Sequence, residues 1–109
     1  AISICEVRQV SATLPLIATG GLRNGIDVVK ALALGADMAG IALPFLKEVY
    51  FNGLKGVLEY VKILKREIKI AMYLTDTYKI KDLRKIPLVF SPKFKAWLDQ
   101  RGIKLTWRS

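Results

Sequence analysis

The chain has 109 residues, 52% of them hydrophobic, with 18 Lys+Arg against 9 Asp+Glu, one cysteine and no histidine. That length holds one small domain at most; the absent histidine excludes a Ser-His-Asp or Cys-His relay and any zinc site that needs imidazole, and a lone cysteine excludes an internal disulfide framework. A mean hydropathy of +0.30 excludes a disordered chain, while the longest charge-free run, residues 9–22, is too short and too polar to cross a bilayer.

The first element is an amphipathic helix, Ile2–Val10, with Ile2, Ile4, Val7 and Val10 on one stripe. Cys5 within it is expected to be a small buried hydrophobe in a reducing, cytoplasmic setting. No basic-then-apolar leader precedes this helix, and a start inside a helix with no initiator Met is the expectation for a piece of a longer protein. Residues 14–18, Leu-Pro-Leu-Ile-Ala, form a short apolar run suited to a strand buried on both faces, with Pro15 near its start. It ends in Thr19-Gly20-Gly21. Asn24 is placed to cap a helix with Asp27 three residues on, and Ile26, Val28, Val29, Ala31, Leu32 and Leu34 give that helix an apolar cover. Gly35 stands at its C-terminal stop. A second apolar run, residues 38–43, is stopped by Pro44. Strand, helix and strand in so short a span make a βαβ unit, whose strands must be parallel.

Beyond it the sequence turns helical. From Gly53 to Thr75, apolar residues recur at Leu54, Val57, Leu58, Val61, Leu64, Ile68, Ala71 and Met72, with Lys55, Glu59, Lys62, Arg66 and Lys69 opposite, so this helix is expected to lie against the sheet. Asp76 or Thr77 is the expected cap of a short helix, Ile80–Lys85, which Pro87 stops, and Pro92–Gln100 is a last helix ended by Gly102. Residues 1–45 thus form a βαβ unit and residues 46–109 a basic helical part. The charge follows the same division: three basic residues balance three acidic ones up to residue 45, and fifteen basic residues face six acidic ones from Leu46 on. A net charge of +9 fits a nucleic-acid or anionic-membrane surface in principle. It reads here as a solvated outer face, because no nucleic-acid motif is present and the aromatics fall at core-like positions.

The chemistry-bearing motif is Thr19-Gly20-Gly21-Leu22-Arg23-Asn24-Gly25, between a strand end and a helix start. Glycines let the backbone turn tightly and expose N–H groups, and with the positive end of the helix dipole and the Arg23 guanidinium they suit a phosphate dianion. A turn that needs glycine only for its dihedral angles explains a bare Gly-Gly equally well. The second strand brings Gly40, Ile41, Ala42, Leu43 and Pro44 to the same sheet edge, and parallel strands gather ligands at their carboxyl ends. Gly40 and Ala42 either admit a bulky ligand or simply pack against a helix. Two parallel strands cannot close a sheet alone, so the chain is expected to be part of a larger α/β protein.

Residues 18–44, from Ala18-Thr19-Gly20-Gly21 through Lys30-Ala31-Leu32-Ala33-Leu34-Gly35-Ala36 to Ala42-Leu43-Pro44, resemble the last two β/α units of FMN-dependent (β/α)8 barrels. Within that group the likeness is to type 2 isopentenyl diphosphate isomerases, which the run from Ile2 to Arg8, the segment from Ile86 to Val89 and the tail from Ala96 to Ile103 also resemble. Hydroxy-acid oxidases are similar too, but usually carry Asp where this chain has Thr19 and Gly-Arg-Pro where it has Ala42-Leu43-Pro44. The resemblance implies the C-terminal portion of a TIM barrel. It implies that Gly21, Leu22 and Arg23 cradle the FMN phosphate through backbone amides, that Gly20 shapes the turn, and that Ala42 and Leu43 close the pocket. It further implies isopentenyl and dimethylallyl diphosphate as substrates, reduced FMN, Mg²⁺ and NADPH as cofactors, and a homo-oligomer that binds neither nucleic acid nor membrane. No catalytic or metal-ligating residue is assigned to this chain, since the motifs for those roles are absent from it. A barrel of this type runs to about 250 residues or more, so the 109 residues alone are expected to be inactive. The alternatives are another FMN barrel, such as a 2-hydroxy-acid oxidase, and a small basic nucleic-acid-binding module.

Overall fold

A computed structural model describes residues 1–108 as an α/β unit. In chain order the elements are α1 (Ile2–Val10), β1 (Ile17–Thr19), α2 (Gly25–Leu34), β2 (Met38–Gly40), α3 (Leu43–Leu74), a 3₁₀ turn (Ile80–Lys85), α4 (Pro92–Gln100) and a short 3₁₀ turn (Thr106–Arg108). The strands pair in parallel, with Ile17 opposite Met38, Ala18 opposite Ala39 and Thr19 opposite Gly40. The βαβ unit therefore forms as its sequence dictates, although each strand has only three residues. Pro15 lies outside β1 because it has no N–H for a ladder bond.

Helix α2 is the centre of the fold. Its start is fixed by the Asn24 side chain, which accepts from the Asp27 N–H at 2.8 Å. Its end is a Schellman motif in which the Gly35 N–H donates to Leu32 O and the Ala36 N–H to Ala31 O, both at 3.1 Å. Val28, Val29 and Leu32 pack against Ala71 of α3 and Leu83 of the 3₁₀ turn. Leu34 packs on the opposite side with Cys5, Leu98 and Ile103, and Ala31 joins Ala18 and Ala36. Cys5 is fully buried, which raises its thiol pKa above the ordinary value.

The carbonyls at the end of α2 are bound by side chains from distant parts of the chain. The Arg108 Nε donates to Ala33 O at 2.8 Å and the Trp107 Nε1 to Leu34 O at 2.6 Å. The Arg8 Nε and the Arg84 Nη2 both donate to Gly35 O at 2.8 Å. Helix C-termini leave such carbonyls unpaired and favour positive charge beside them, so three arginines here stabilise α2 twice over. Arg8 is the most demanding of them. It is 3% exposed, and its guanidinium also donates to Leu14 O at 2.6 Å, Ser11 O at 3.2 Å and the Asp37 carboxylate at 2.9 Å. Asp37 holds Arg84 with its other oxygen at 2.8 Å and accepts from the Leu16 N–H at 2.9 Å.

Several expectations are corrected. The strands are not buried on both faces: Ile17 is 61% and Met38 62% exposed, since helices cover only part of this two-stranded sheet. Leu43 and Pro44 do not end β2 but begin α3, where the missing proline N–H in the first turn costs no helical bond. Helix α3 is broken at Gly53, whose φ of 63° and ψ of −156° divide it into segments 43–52 and 54–74. It packs chiefly on α2 instead of lying flat on the sheet, and only Leu64 and Ala71 of its apolar stripe are buried. Neither Asp76 nor Thr77 caps the following turn. Lys79 occupies that position, while the buried Thr77 hydroxyl bonds to Thr75 O at 3.2 Å. The aromatics are not uniformly core residues either: Tyr50, Phe51, Tyr73 and Tyr78 project from exposed positions.

Candidate functional site

The turn after β1 and the loop after β2 lie side by side because their strands are paired and parallel, with Thr19 opposite Gly40. Between them runs a groove of about 470 Å³, lined on one side by Thr19 to Arg23 and on the other by Gly40 to Pro44, and completed by Lys47 and Tyr60 of α3. All six residues expected from the sequence, Gly20, Gly21, Leu22, Arg23, Ala42 and Leu43, line this one groove. Arg23 and Lys47 are among the lining residues and no Asp or Glu is.

Gly20 and Gly21 have φ of 96° and 80°, and a Cβ on either would meet nothing within 4 Å. Conformation, not space, therefore requires glycine there, and the backbone faces open room. Among the described residues, the Gly21 and Leu22 amides have no hydrogen-bond partner. The Arg23 amide does: it donates to Asp27 Oδ2 at 3.1 Å. Arg23 is an exposed residue lining the groove, and its N–H is already held. At the start of α2 the Gly25 N–H donates to Glu67 Oε1 at 3.2 Å, and the Tyr60 hydroxyl donates to the Arg23 carbonyl. The loop is thus held by α3 through Glu67 and Tyr60, while the Gly21 and Leu22 amides, in residues that line the groove, are left without a partner among the described residues.

On the β2 side, a Cβ at Gly40 would lie 3.3 Å from the exposed Thr19 side chain, a tight contact across the strand pair. Ala42 and Leu43 are exposed, at the N-terminus of α3. Lys47 and Tyr60 escaped the sequence reading. Lys47 lies one helical turn after Leu43, a spacing that points to the groove only once α3 starts at Leu43 and not after Pro44. Among the described residues, no group of three or more Asp, Glu or Cys side chains could hold a metal ion, and no helix is long and apolar enough to cross a membrane.

The groove brings together two unpartnered amides at a glycine turn, two cationic residues and the start of α3. These residues fit the terminal phosphate of a phosphorylated cofactor. Residues 2–88 match the sequence model of the FMN-dependent dehydrogenase family. The chain belongs to that family. It is 44% identical over 106 residues to an isopentenyl-diphosphate delta-isomerase of Methanopyrus kandleri, covering 96% of this chain and 29% of the relative. A protein of the same name from Pyrococcus furiosus is 48% identical over 101 residues, 93% of this chain and 25% of its own length. One from Staphylococcus saprophyticus is 37% identical over 103 residues, 94% of this chain and 30% of its own. The chain therefore spans between a quarter and a third of these relatives.

Proposed function

We propose that this chain is the flavin-phosphate end of an FMN-dependent isopentenyl-diphosphate isomerase, built as the last two β/α units of a (β/α)8 barrel. The observation that carries this reading is the convergence of the Gly20-Gly21 turn and the Ala42-Leu43 loop on one cationic groove, in a family defined by FMN. In such barrels the phosphate site is often built by the loops after the seventh and eighth strands. The relatives' name supplies the reaction, interconversion of isopentenyl and dimethylallyl diphosphate. The exposed faces and outer edges of β1 and β2 would be covered by the preceding strands of the barrel.

The Gly21 and Leu22 amides donate to the phosphate, and Arg23 and Lys47 neutralise it. Gly20 sets the turn, while Ala42 and Leu43 form the facing wall. When bound in its reduced form, FMN would supply the proton-transfer chemistry at the allylic carbons with no net redox change, and the role of this segment's residues is to bind and orient it. Mg²⁺, the diphosphate and NADPH engage residues outside this chain, and the 109 residues alone carry no turnover. Assembly of copies and a cytoplasmic setting belong to the same reading.

The test compares FMN with riboflavin, which lacks the phosphate, on the full-length protein. Gly21→Val forces a β-branched residue onto a φ of 80° and turns the peptide away from the groove. Losing a charge-assisted bond of about 1.5–3 kcal/mol weakens FMN binding roughly 10- to 100-fold. Riboflavin binding is expected to stay as it was. Equal loss for both ligands, or for neither, overturns the assignment.

A further inference from the structure

Tyr60 touches one wall of the groove at Arg23 and, at Phe45, the residue directly after the other, although it belongs to neither loop. Its hydroxyl donates to the Arg23 carbonyl, the last residue before the cap of α2. Its ring meets Phe45 edge-on, with centroids 4.9 Å apart and planes at 77°. Phe45 lies in the first turn of α3, directly after Ala42, Leu43 and Pro44. One side chain thus links the turn after β1 to the first turn of α3. The join is stiff: the segment from Arg23 to Gly25 has its first N–H on Asp27, its first carbonyl on Tyr60 and its last N–H on Glu67. In a trans peptide the carbonyl and the following N–H point in opposite directions, so holding Arg23 O also fixes the Asn24 N–H; of the two peptide planes that follow the free amides, the first is held by Asp27 and the second by Tyr60.

We infer that Tyr60 is the positioning residue of the phosphate cradle, a strut that sets the separation and orientation of the Gly21-Leu22 amides against the Ala42-Leu43 wall. The inference rests on the reading of the groove as a flavin-phosphate site and adds a residue that determines how well phosphate is selected. Burial, with the carboxylates of Glu67, Glu48 and Asp27 nearby, raises the Tyr60 pKa above its ordinary value, so the phenol stays a donor throughout the neutral range. An edge-to-face pair adds attraction beyond its buried area, so the ring acts as a contact of its own beside the hydroxyl.

The experiment measures FMN and riboflavin dissociation constants for the full-length protein and three variants. Tyr60→Phe keeps the ring against Phe45 and removes only the O–H. It is expected to bind FMN about 3- to 10-fold more weakly, the range for one neutral hydrogen bond, with riboflavin affinity unchanged. Tyr60→Ala removes both contacts and is expected to lose more FMN affinity than Tyr60→Phe. Tyr73→Phe, at an exposed tyrosine of the same helix, is the control and is expected to match the parent. If Tyr60→Phe keeps the parent ratio of FMN to riboflavin affinity while Gly21→Val loses it, Tyr60 is not a positioning residue. A proportional loss of both ligands makes Tyr60 merely structural and also overturns the inference. If Gly21→Val keeps the ratio as well, the phosphate reading itself fails and this inference with it.

Discussion

Replacing Arg8 by Met probes the junction that holds α1, the end of α2 and the Asp37 loop together. Met refills the space of the arginine stem but provides none of its donors. Breaking a buried ion pair by removing one partner commonly costs about 3–5 kcal/mol. Two observations lower that figure here. Asp37 is half exposed and keeps both Arg84 at 2.8 Å and the Leu16 N–H at 2.9 Å. Gly35 O likewise keeps the Arg84 Nη2 at 2.8 Å. What remains unpaired are the carbonyls of Leu14, an exposed residue, and Ser11, a partly buried one, both of which water can approach. Each lost bond then costs about 0.5–1.5 kcal/mol, for a total of roughly 2–3 kcal/mol with the weakened Gly35 and Asp37 contacts. The assay is denaturant unfolding of the full-length protein, read as a lower midpoint with unchanged slope. Arg101→Met, which breaks a pair with Glu6 at 2.7 Å in which both side chains are open to water, serves as the comparison and costs no more than about 1 kcal/mol. Should Arg8→Met be as mild as Arg101→Met, the buried network is not what ties these elements together.

Further predictions concern the α2–α3 crossing and the response to acid. A Cβ on Gly25 would lie 2.5 Å from Glu67 Cβ, 2.8 Å from Leu64 O and 2.9 Å from Ile68 N, two of them backbone atoms. Gly25→Ala therefore pushes α3 away from α2; overpacking of about 1–3 kcal/mol outweighs a helix-propensity gain below about 1 kcal/mol. Denaturation is expected to show a net loss, and a more stable variant would refute the contact. The Asp37 pKa is lowered, first by the Leu16 N–H and, against the opposing effect of burial, by the charges of Arg8 and Arg84. A depressed carboxylate pKa adds stability that is complete above the unfolded value of about 4 and is lost as pH falls through the folded value. Asp37→Asn is expected to be less stable at pH 7 and to flatten the acid limb of the stability profile; an acid limb identical to the parent's sinks this account.

What the sequence made legible was local. The Asn24 cap, the Gly35 and Gly102 stops, and the start of α4 at Pro92 all depend on residues within one helical turn of each other, and each appears where its chemistry requires. The groove was legible for a related reason: a strand end followed by Gly-Gly and a helix cap constrains its own neighbourhood. Residues 43–52 were obscured because Pro44 terminates strands and starts helices with equal ease. The Arg8 cluster was invisible because its partners lie up to 29 positions away and nothing in the pattern of charges singles one arginine out. Tyr60 was hidden likewise, as an aromatic on a long amphipathic helix whose partner carbonyl is 37 residues upstream. The exposed Tyr73 follows from the same limit, since period alone does not say which part of a helix finds a neighbour.

A crystal structure of the full-length protein with FMN tests the central claim most directly. The account predicts the flavin phosphate in the groove between Gly20-Gly21 and Ala42-Leu43, with the Gly21 and Leu22 amides within about 2.7–3.2 Å of its oxygens and Arg23 or Lys47 beside it. A phosphate bound elsewhere in the protein, with both amides facing solvent, contradicts it.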